Sequence, residues 1–395
     1  MTITETRQTK AAITTPETGS HWTGAPADSP WITTARSLVG PLGTHAADHD
    51  RDGTFVAEGI TLLRDGGCMA MLVPTERGGG GATHAEACAL LAEIAHGCPA
   101  TSLTFSMHAH LVAAQVWRNK RGLPAPVLDK VAANQLALVS TGASDWLESN
   151  GSAREVEGGF RISARKSPAS GAPSGDVVVT SVRWDDAPDG PQVIHCSVPF
   201  TAEGVSIEET WDTMGMRGTG SHTVVLDDVF VPTASVSLVR PAGTWHPVWS
   251  VVLGAAMPLI MSTYVGVAEA AAERAIALAA SRRDPVAAAP QIGRMLSRLS
   301  VARDVTGAMI AASDDLRFDN TVEHASTTLA RKSAVADAVI DTVRLAMEIG
   351  GGQAFSTGAQ IERFYRDVHG VLYHPLPAAQ QEQFTGRVAL GLSPL

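Results

Sequence analysis

Two groups of residues in this chain are equipped for chemistry: a run of glycines and small hydroxyls, and a set of histidines. The run is Trp211 to Pro232, WDTMGMRGTGSHTVVLDDVFVP, with Gly215, Gly218, Thr219, Gly220 and Ser221 close together. Glycine lets a backbone take positive φ and approach a flat ligand closely. The β-branched residues from Thr223 to Val231 then read as a strand that closes at Pro232, at a sheet edge. A polar loop feeding a strand is a wall for a planar cofactor or an ordinary hairpin corner, and turn chemistry alone allows both. The histidines are His108 and His110, in FSMHAHLVAA, and His369 and His374 near the C-terminus. Imidazole exchanges a proton near neutral pH, so each is a proton-handling group or a packing histidine. His108 and His110 stand at i and i+2, so on a helix only one of them faces a given pocket. The four glycines Gly78 to Gly81 invite a phosphate-loop reading, but no Lys-Ser/Thr pair follows, which leaves a plain connector. Cys68, Cys88, Cys98 and Cys196 are far apart and form no CxxC pair. They predict neither a zinc site nor a disulfide framework, and they fit a reduced, cytoplasmic setting.

The elements that must position these groups fall into three textures. Residues 1–25 are rich in Thr and without an apolar core, which predicts a disordered tail rather than a secretory signal. From 26 to 135 the pattern is helical: DGTFVAEGITLLRDGG ends in Gly66-Gly67, a normal helix stop, and HAEACALLAEIAHGCPA repeats the theme. Between them MLVPTERGGGGA predicts a short strand-like piece and a loop. From 136 to 240 short alternating runs such as GFRISARK, GDVVVTSVRW and QVIHCSVPF predict a small antiparallel barrel or sandwich. From 241 to 395 long Ala-rich amphipathic stretches predict a helical bundle. Val251 to Ala268 is apolar enough to suggest a membrane span, but Pro258, Ser262 and Thr263 interrupt it, and a helix buried in a bundle is the better reading. The net charge of −10 and pI near 5.7 argue against a nucleic-acid partner.

The order helices, β region, bundle, together with four motifs, resembles the acyl-CoA dehydrogenase superfamily of flavoproteins. The motifs are the Trp211–Pro232 run; GCMAMLVPTERGGGGATHAEACALLAEIA; STGASDWLESNGSAREVEGGFRISARKSPASG; and LAMEIGGGQAFSTGAQIERFYRDV. The resemblance covers nearly the whole chain after the tail. It implies an α+β, mostly α, fold: an N-terminal helical domain, a middle β-barrel or sandwich, and a C-terminal four-helix bundle that assembles as a homotetramer. It also implies a flavin. Ser140, Thr141 and Gly142 would lie along the flavin edge, Ser144 near the phosphates, and Ser170 beside the ring, where Pro168 replaces the family's Trp. For the nucleotide half of FAD, Arg282, Arg283, Gly351 and Gly352 are the matching positions, although Glu348 replaces the family's Gln. FAD is the expected cofactor, with FMN or a reduced flavin supplied by a partner reductase as the alternative.

The resemblance also locates the catalytic base and finds it missing. A dehydrogenase of this family needs a carboxylate to remove the α-proton of an acyl thioester. Here Tyr373 is followed by His374 and Pro375 where the family has its Glu, and the second family position falls on Ala256 or Met257. A histidine in that place is similar to the two-component flavin monooxygenase branch, in which reduced flavin and O₂ form a C4a-(hydro)peroxide. His374 and Ser140 are then expected to stabilise that adduct, with His108 or His110 lining the pocket. The alternatives are an acyl-CoA or acyl-carrier-protein dehydrogenase with a relocated base, for which Glu382, Asp145 and Glu148 are candidates, and a non-catalytic flavin-fold protein. The substrate is left open, and Phe105, Trp146, Trp245 and Trp249 are equally pocket or core.

Overall fold

The computed structural model describes residues 20–141 and 148–394. Helices α1 (Pro30–Asp52), α2 (Ala57–Asp65), α3 (His84–Ala95), α4 (Pro99–Asn119) and α5 (Val127–Asn134) come first. The start of α3 is set by its sequence: Thr83 accepts from the Glu86 amide while the Glu86 carboxylate accepts from the Thr83 amide, a reciprocal cap. Strands β1 (Leu138–Ser140), β2 (Ser152–Val156), β3 (Gly159–Lys166), β4 (Val177–Trp184), β5 (Gln192–Pro199), β6 (Val205–Glu208), β7 (Thr223–Pro232) and β8 (Val236–Pro241) follow. They form two four-stranded sheets, ordered β1-β4-β5-β8 and β2-β3-β7-β6. All pairings are antiparallel except β1 with β4. Val139, Ile162, Val178, Ile194, Val224 and Val229 are among the side chains that fill the core of this β region.

The C-terminal region is helical: α6 (Val248–Ala280), α7 (Ala289–Ala312), α8 (Val322–Gly350), α9 (Ile361–Val368) and α10 (Ala378–Ala389). The long helices α6, α7 and α8 pack on one another, α9 joins α6 and α8, and α10 lies on α8. Helix α6 is the hub, because it also packs on α3 and α4 of the N-terminal region. It is long and apolar enough to cross a membrane, yet 94% of its most apolar window is buried inside the protein. A helix apolar all round is what such a central position requires.

Two local expectations are corrected. Met71, Leu72 and Val73 form no strand; they follow a 3-10 turn at Cys68–Ala70 and are all buried. The loop after them folds back, with the amides of Gly80, Gly81 and Ala82 donating to Ala70, Val73 and Met71. The backbone bonds of this segment are therefore met locally, without a neighbouring strand. Strand β7 does not lie at a sheet edge along its length. It is flanked by β3 and β6, but β6 pairs only with Thr223–Leu226, so the end that carries Pro232 is open on that side. A proline without an N–H is tolerated there.

Candidate active site

A cavity of about 580 Å³ lies where α4, α6, the end of β1, the glycine loop and the segment after α9 meet. Helix α4 contributes Leu103, Met107 and His110, spaced to share one face. Helix α6 contributes Val252, Ala256, Ile260 and Tyr264 along one stripe. Among the described residues that line the cavity, none is acidic. Arg366 is at its edge, but its guanidinium is held by Asp50 at 2.6 and 2.8 Å and by Glu362 at 2.9 Å. The family's two base positions are both on this wall and carry His374 with its neighbours, and Ala256 with Met257.

The glycine loop forms one side. At Gly215 a β-carbon would stand 2.2 Å from the Arg366 carbonyl oxygen, so only glycine allows the loop to sit against α9. Met216 follows in the left-handed region, its amide donating to Asp367 Oδ1 at 2.5 Å. Asp367 is buried, and burial pushes its carboxyl up to about 6 against the Met216 N–H, which favours the ionised form. The Met216 carbonyl accepts from Trp211 Nε1 at 3.0 Å and from Thr219 Oγ1 at 2.9 Å. The Thr219 proton is thereby committed, so Ser221 donates to Thr219 (2.7 Å) and Ser170 donates to Ser221 (2.8 Å). Ser140 and Thr141 close this side, with Thr141 Oγ1 donating to Thr180 Oγ1 at 2.7 Å.

The opposite wall carries histidines. His374 Nε2 lies 2.8 Å from Tyr264 Oη, and burial, Lys332 and His110 together push its pKa down to about 3. His110 Nδ1 donates to the Ser106 carbonyl at 3.3 Å, and burial lowers its pKa to about 4. His369 Nδ1 donates to the Tyr365 carbonyl at 2.6 Å. Lys332 of α8 is buried and donates to the Leu376 carbonyl at 3.1 Å, tying down the segment that follows His374.

The structure brings His374, His110, Ser140, Thr141 and Ser170 to one cavity. It excludes His108, which points to the other side of α4: Nε2 donates to the Met69 carbonyl at 2.9 Å, and Nδ1 accepts from the Leu138 amide at 3.0 Å. Both ring nitrogens are used, so His108 fastens α4 to β1 and is not a reacting group. Gly142, Ser144, Asp145 and Trp146 lie outside the described residues. Arg282 donates to the carbonyls of Ile349 and Gly350 at the end of α8, beside exposed Gly351 and Gly352, and none of these lines the cavity. Arg283 is exposed. Glu348 pairs with Arg344. Glu382 is exposed on α10, and Glu148 pairs with Arg183, so neither supplies a base to the cavity. Trp249 lines the cavity, Phe105 is core, and Trp245 packs edge-on against Phe384 at 4.9 Å. Tyr264 was missed by sequence reasoning; its one signal is a phenol within the mostly apolar first half of α6.

An apolar cavity of this size, with hydroxyls on one side and Trp211, Pro168 and Met216 along it, suits a flat heteroaromatic group. The comparisons agree. The description "Acyl-CoA dehydrogenase, N-terminal domain" matches residues 33–119, the middle domain 140–229, and the C-terminal domain 250–371. L-evernosamine nitrososynthase of Micromonospora sp. is 28% identical over 416 aligned residues, covering 95% of each chain. Putative acyl-CoA dehydrogenase YdbM of Bacillus subtilis is 28% identical over 366, covering 87% of this chain and 92% of its own. The solved structure of KijD3 with FMN and dTDP-3-amino-2,3,6-trideoxy-4-keto-3-methyl-D-glucose superposes with a TM-score of 0.85. It is 26% identical, over 94% of this chain and 96% of that one. Relatives of two chemistries thus share one scaffold, and this chain, matched by all three domains in order, belongs to the acyl-CoA dehydrogenase family.

Proposed function

We propose that the protein is a flavin-dependent oxygenase that acts on a small molecule with reduced flavin and O₂. The observation that carries this reading is the absence of any acidic side chain among the described residues of the cavity. Removal of a thioester α-proton needs a base within reach, the family's carboxylate is missing here, and His110 and His374, with pKa values lowered to about 4 and about 3, are poor substitutes. The nitrososynthase relative, and FMN with an amino-sugar nucleotide in KijD3, support a flavin reaction on a small polar molecule.

In this reading Ser140, Thr141 and Ser170 hold the flavin edge, with Gly142 and Ser144 continuing that contact. Arg282, Arg283, Gly351 and Gly352 serve the nucleotide half if the flavin is FAD; FMN needs none of them. Reduced flavin supplies two electrons, so that one oxygen atom of O₂ enters the product and the other leaves as water. The chain's own task is to keep the site dry and its protons placed. Leu103, Met107, Met257 and Ile260 exclude water, while Tyr264 holds His374 in place through Nε2. A partner reductase, a homotetrameric assembly and a cytoplasmic setting complete the proposal.

The test compares two reactions of the same preparation. Bound oxidised flavin is mixed anaerobically with acyl-CoA thioesters of short to long chain; the proposal expects no bleaching. Reduced flavin is then generated with NADH and a flavin reductase, and product formation is followed with and without O₂. Anaerobic bleaching by a thioester establishes dehydrogenation instead.

A further inference from the structure

Helices α4 and α6, which wall the cavity, are both tied to the turn between α7 and α8 through residues that do not line it. In that turn Asp314, Asp315 and Leu316 have φ of 44°, 45° and 62°, so three successive residues with a β-carbon stand in the left-handed region. Such a run costs free energy at each residue and persists only where its surroundings hold it. Helix α4 holds it from one side: Lys120 Nζ donates to Asp315 Oδ2 at 2.5 Å, and Trp117 Nε1 donates to the Phe318 carbonyl at 2.9 Å. His84, the first residue of α3, holds it from another, its amide donating to Asp315 Oδ1 at 2.9 Å.

The imidazole of His84 carries this support to α6. The ring is fully buried, and the Ala255 carbonyl can only accept, so Nε2 donates to it at 3.0 Å. Burial lowers the pKa to about 4 and keeps the ring neutral, which leaves Nδ1 an acceptor. The Ser313 hydroxyl lies 2.8 Å from Nδ1 and 2.7 Å from the Ile310 carbonyl, and its proton is shared between them. Phe318 packs on the same stretch of α6: a β-carbon at Gly254 would stand 2.5 Å from its ring. Pro258 gives the reason for support here. It has no N–H and its ring crowds the preceding turn, so the helix is weakest at this point. Val251, Ala255 and Leu259 are buried in the N-terminal core, each one residue before Val252, Ala256 and Ile260, which line the cavity. A shift of the Ala255 carbonyl therefore moves the cavity wall.

We propose that His84 is a positioning residue for the active cavity: by holding the Ala255 carbonyl to the strained turn, it sets the place of Ala256 and Met257 on the cavity wall. His84 does not itself line the cavity. A rigid ring with a donor on one side and an acceptor on the other bridges a carbonyl and a hydroxyl from separate elements, which an aliphatic side chain of similar size cannot do. The inference rests on the reading of this cavity as the flavin and substrate site, and not on which reaction occurs there.

The test compares His84→Leu, His84→Gln and Leu128→Ala with wild type in the FMN-loaded protein, with 2-naphthol as an uncharged, flat probe of the cavity. Leucine removes the N–H, whereas glutamine places an amide N–H close to the position of Nε2. Leu128 is fully buried in the N-terminal core and does not line the cavity, so Leu128→Ala reports plain loss of stability. His84→Leu is expected to weaken 2-naphthol binding by about tenfold, the scale on which residues remote from a ligand change its affinity. His84→Gln should restore the affinity to within about threefold, and Leu128→Ala should leave it as in wild type. Amides of α6 on either side of Ala255 should exchange hydrogen faster in His84→Leu than in Leu128→Ala. Exchange and affinity both unchanged in His84→Leu overturn the proposal, as does an equal change of both in Leu128→Ala. If His84→Leu does not fold, Ser313→Ala, which removes only the partner of Nδ1, takes its place; about threefold weaker binding is expected, and wild-type affinity overturns the proposal. Failure of the oxygenation reading is separately visible: thioester bleaching without O₂ changes the reaction assigned to the cavity and leaves these affinities as they are.

Discussion

Tyr264 Oη on α6 and His374 Nε2, in the segment after α9, lie 2.8 Å apart across 110 residues of sequence. The phenol is buried, and burial raises its pKa well above the usual value, so it stays protonated. The contact fixes both the position and the proton of His374. Replacing Tyr264 with Phe leaves the ring nitrogen without its donor and frees the proton to move to Nε2. The expected outcome is a stability loss of about 1–3 kcal/mol, the penalty of an unpaired buried group. Turnover should fall while flavin affinity changes little. Thermal unfolding and flavin titration read the two effects separately; unchanged turnover would show that His374 does not depend on Tyr264.

Lys332 holds the same segment from behind, through the Leu376 carbonyl. Burial lowers its pKa from 10.5 to about 8. A base with a folded pKa below its unfolded one is stabilised as pH rises between the two values. Wild type should therefore gain stability relative to Lys332→Met as the pH is raised from 8 toward 10.5. Melting curves of both proteins across that range check the sign. The variant should also lose turnover at neutral pH, since the backbone after His374 is no longer tied to α8.

Much of this arrangement was legible in the sequence, and the illegible part has a common cause. Gly215 and Gly220 announced a close-packed loop, and the structure shows why: Gly215 lies against α9, and Gly220 has positive φ. The spacing of His108 and His110 dictated that one would face away, but not which; that depended on the Met69 carbonyl and the Leu138 amide, from other elements. The Tyr264–His374 pair, the Lys332 tie and the Ser170–Ser221–Thr219 chain bring together residues distant in sequence, and no local pattern encodes them. Met71–Val73 looked like a strand because a short apolar run is ambiguous until its neighbours are known.

Two glycine substitutions separate packing from cofactor contact. Gly215→Ala drives a β-carbon into the Arg366 carbonyl and displaces Met216 from the cavity wall. A stability loss of about 1–3 kcal/mol, the usual range for overpacking, is expected, with weaker flavin binding. Gly352→Ala meets nothing within 4 Å, and its melting temperature should be close to that of wild type. If FAD's nucleotide half uses this position, Gly352→Ala weakens FAD and leaves FMN untouched. Titration with both flavins decides which one the protein holds.

Buried and half-buried histidines set the acid limit of the fold. His84, His108 and His110 are pushed down to about 4, and His195 and His374 to about 3, by burial first in each case. Each lies below the unfolded value near 6.5, so the unfolded chain binds more protons between these limits and stability falls as the pH drops through that window. Each such ring contributes up to about 1.4 kcal/mol per pH unit below 6.5. Two groups act differently. His96, raised to about 10 by Glu269 and Glu273 against the opposing effect of burial, contributes stability fully present below 6.5. Asp367, raised to about 6, is relieved as it protonates. Five rings outweigh one carboxyl, so the melting temperature should fall steeply from pH 6.5 to pH 5. His374→Ala should flatten that fall, because it removes one of the protons taken up on unfolding. A melting profile independent of pH over this range would mean that these rings are not neutral in the folded protein, and the proton assignments of the cavity wall would fall with them.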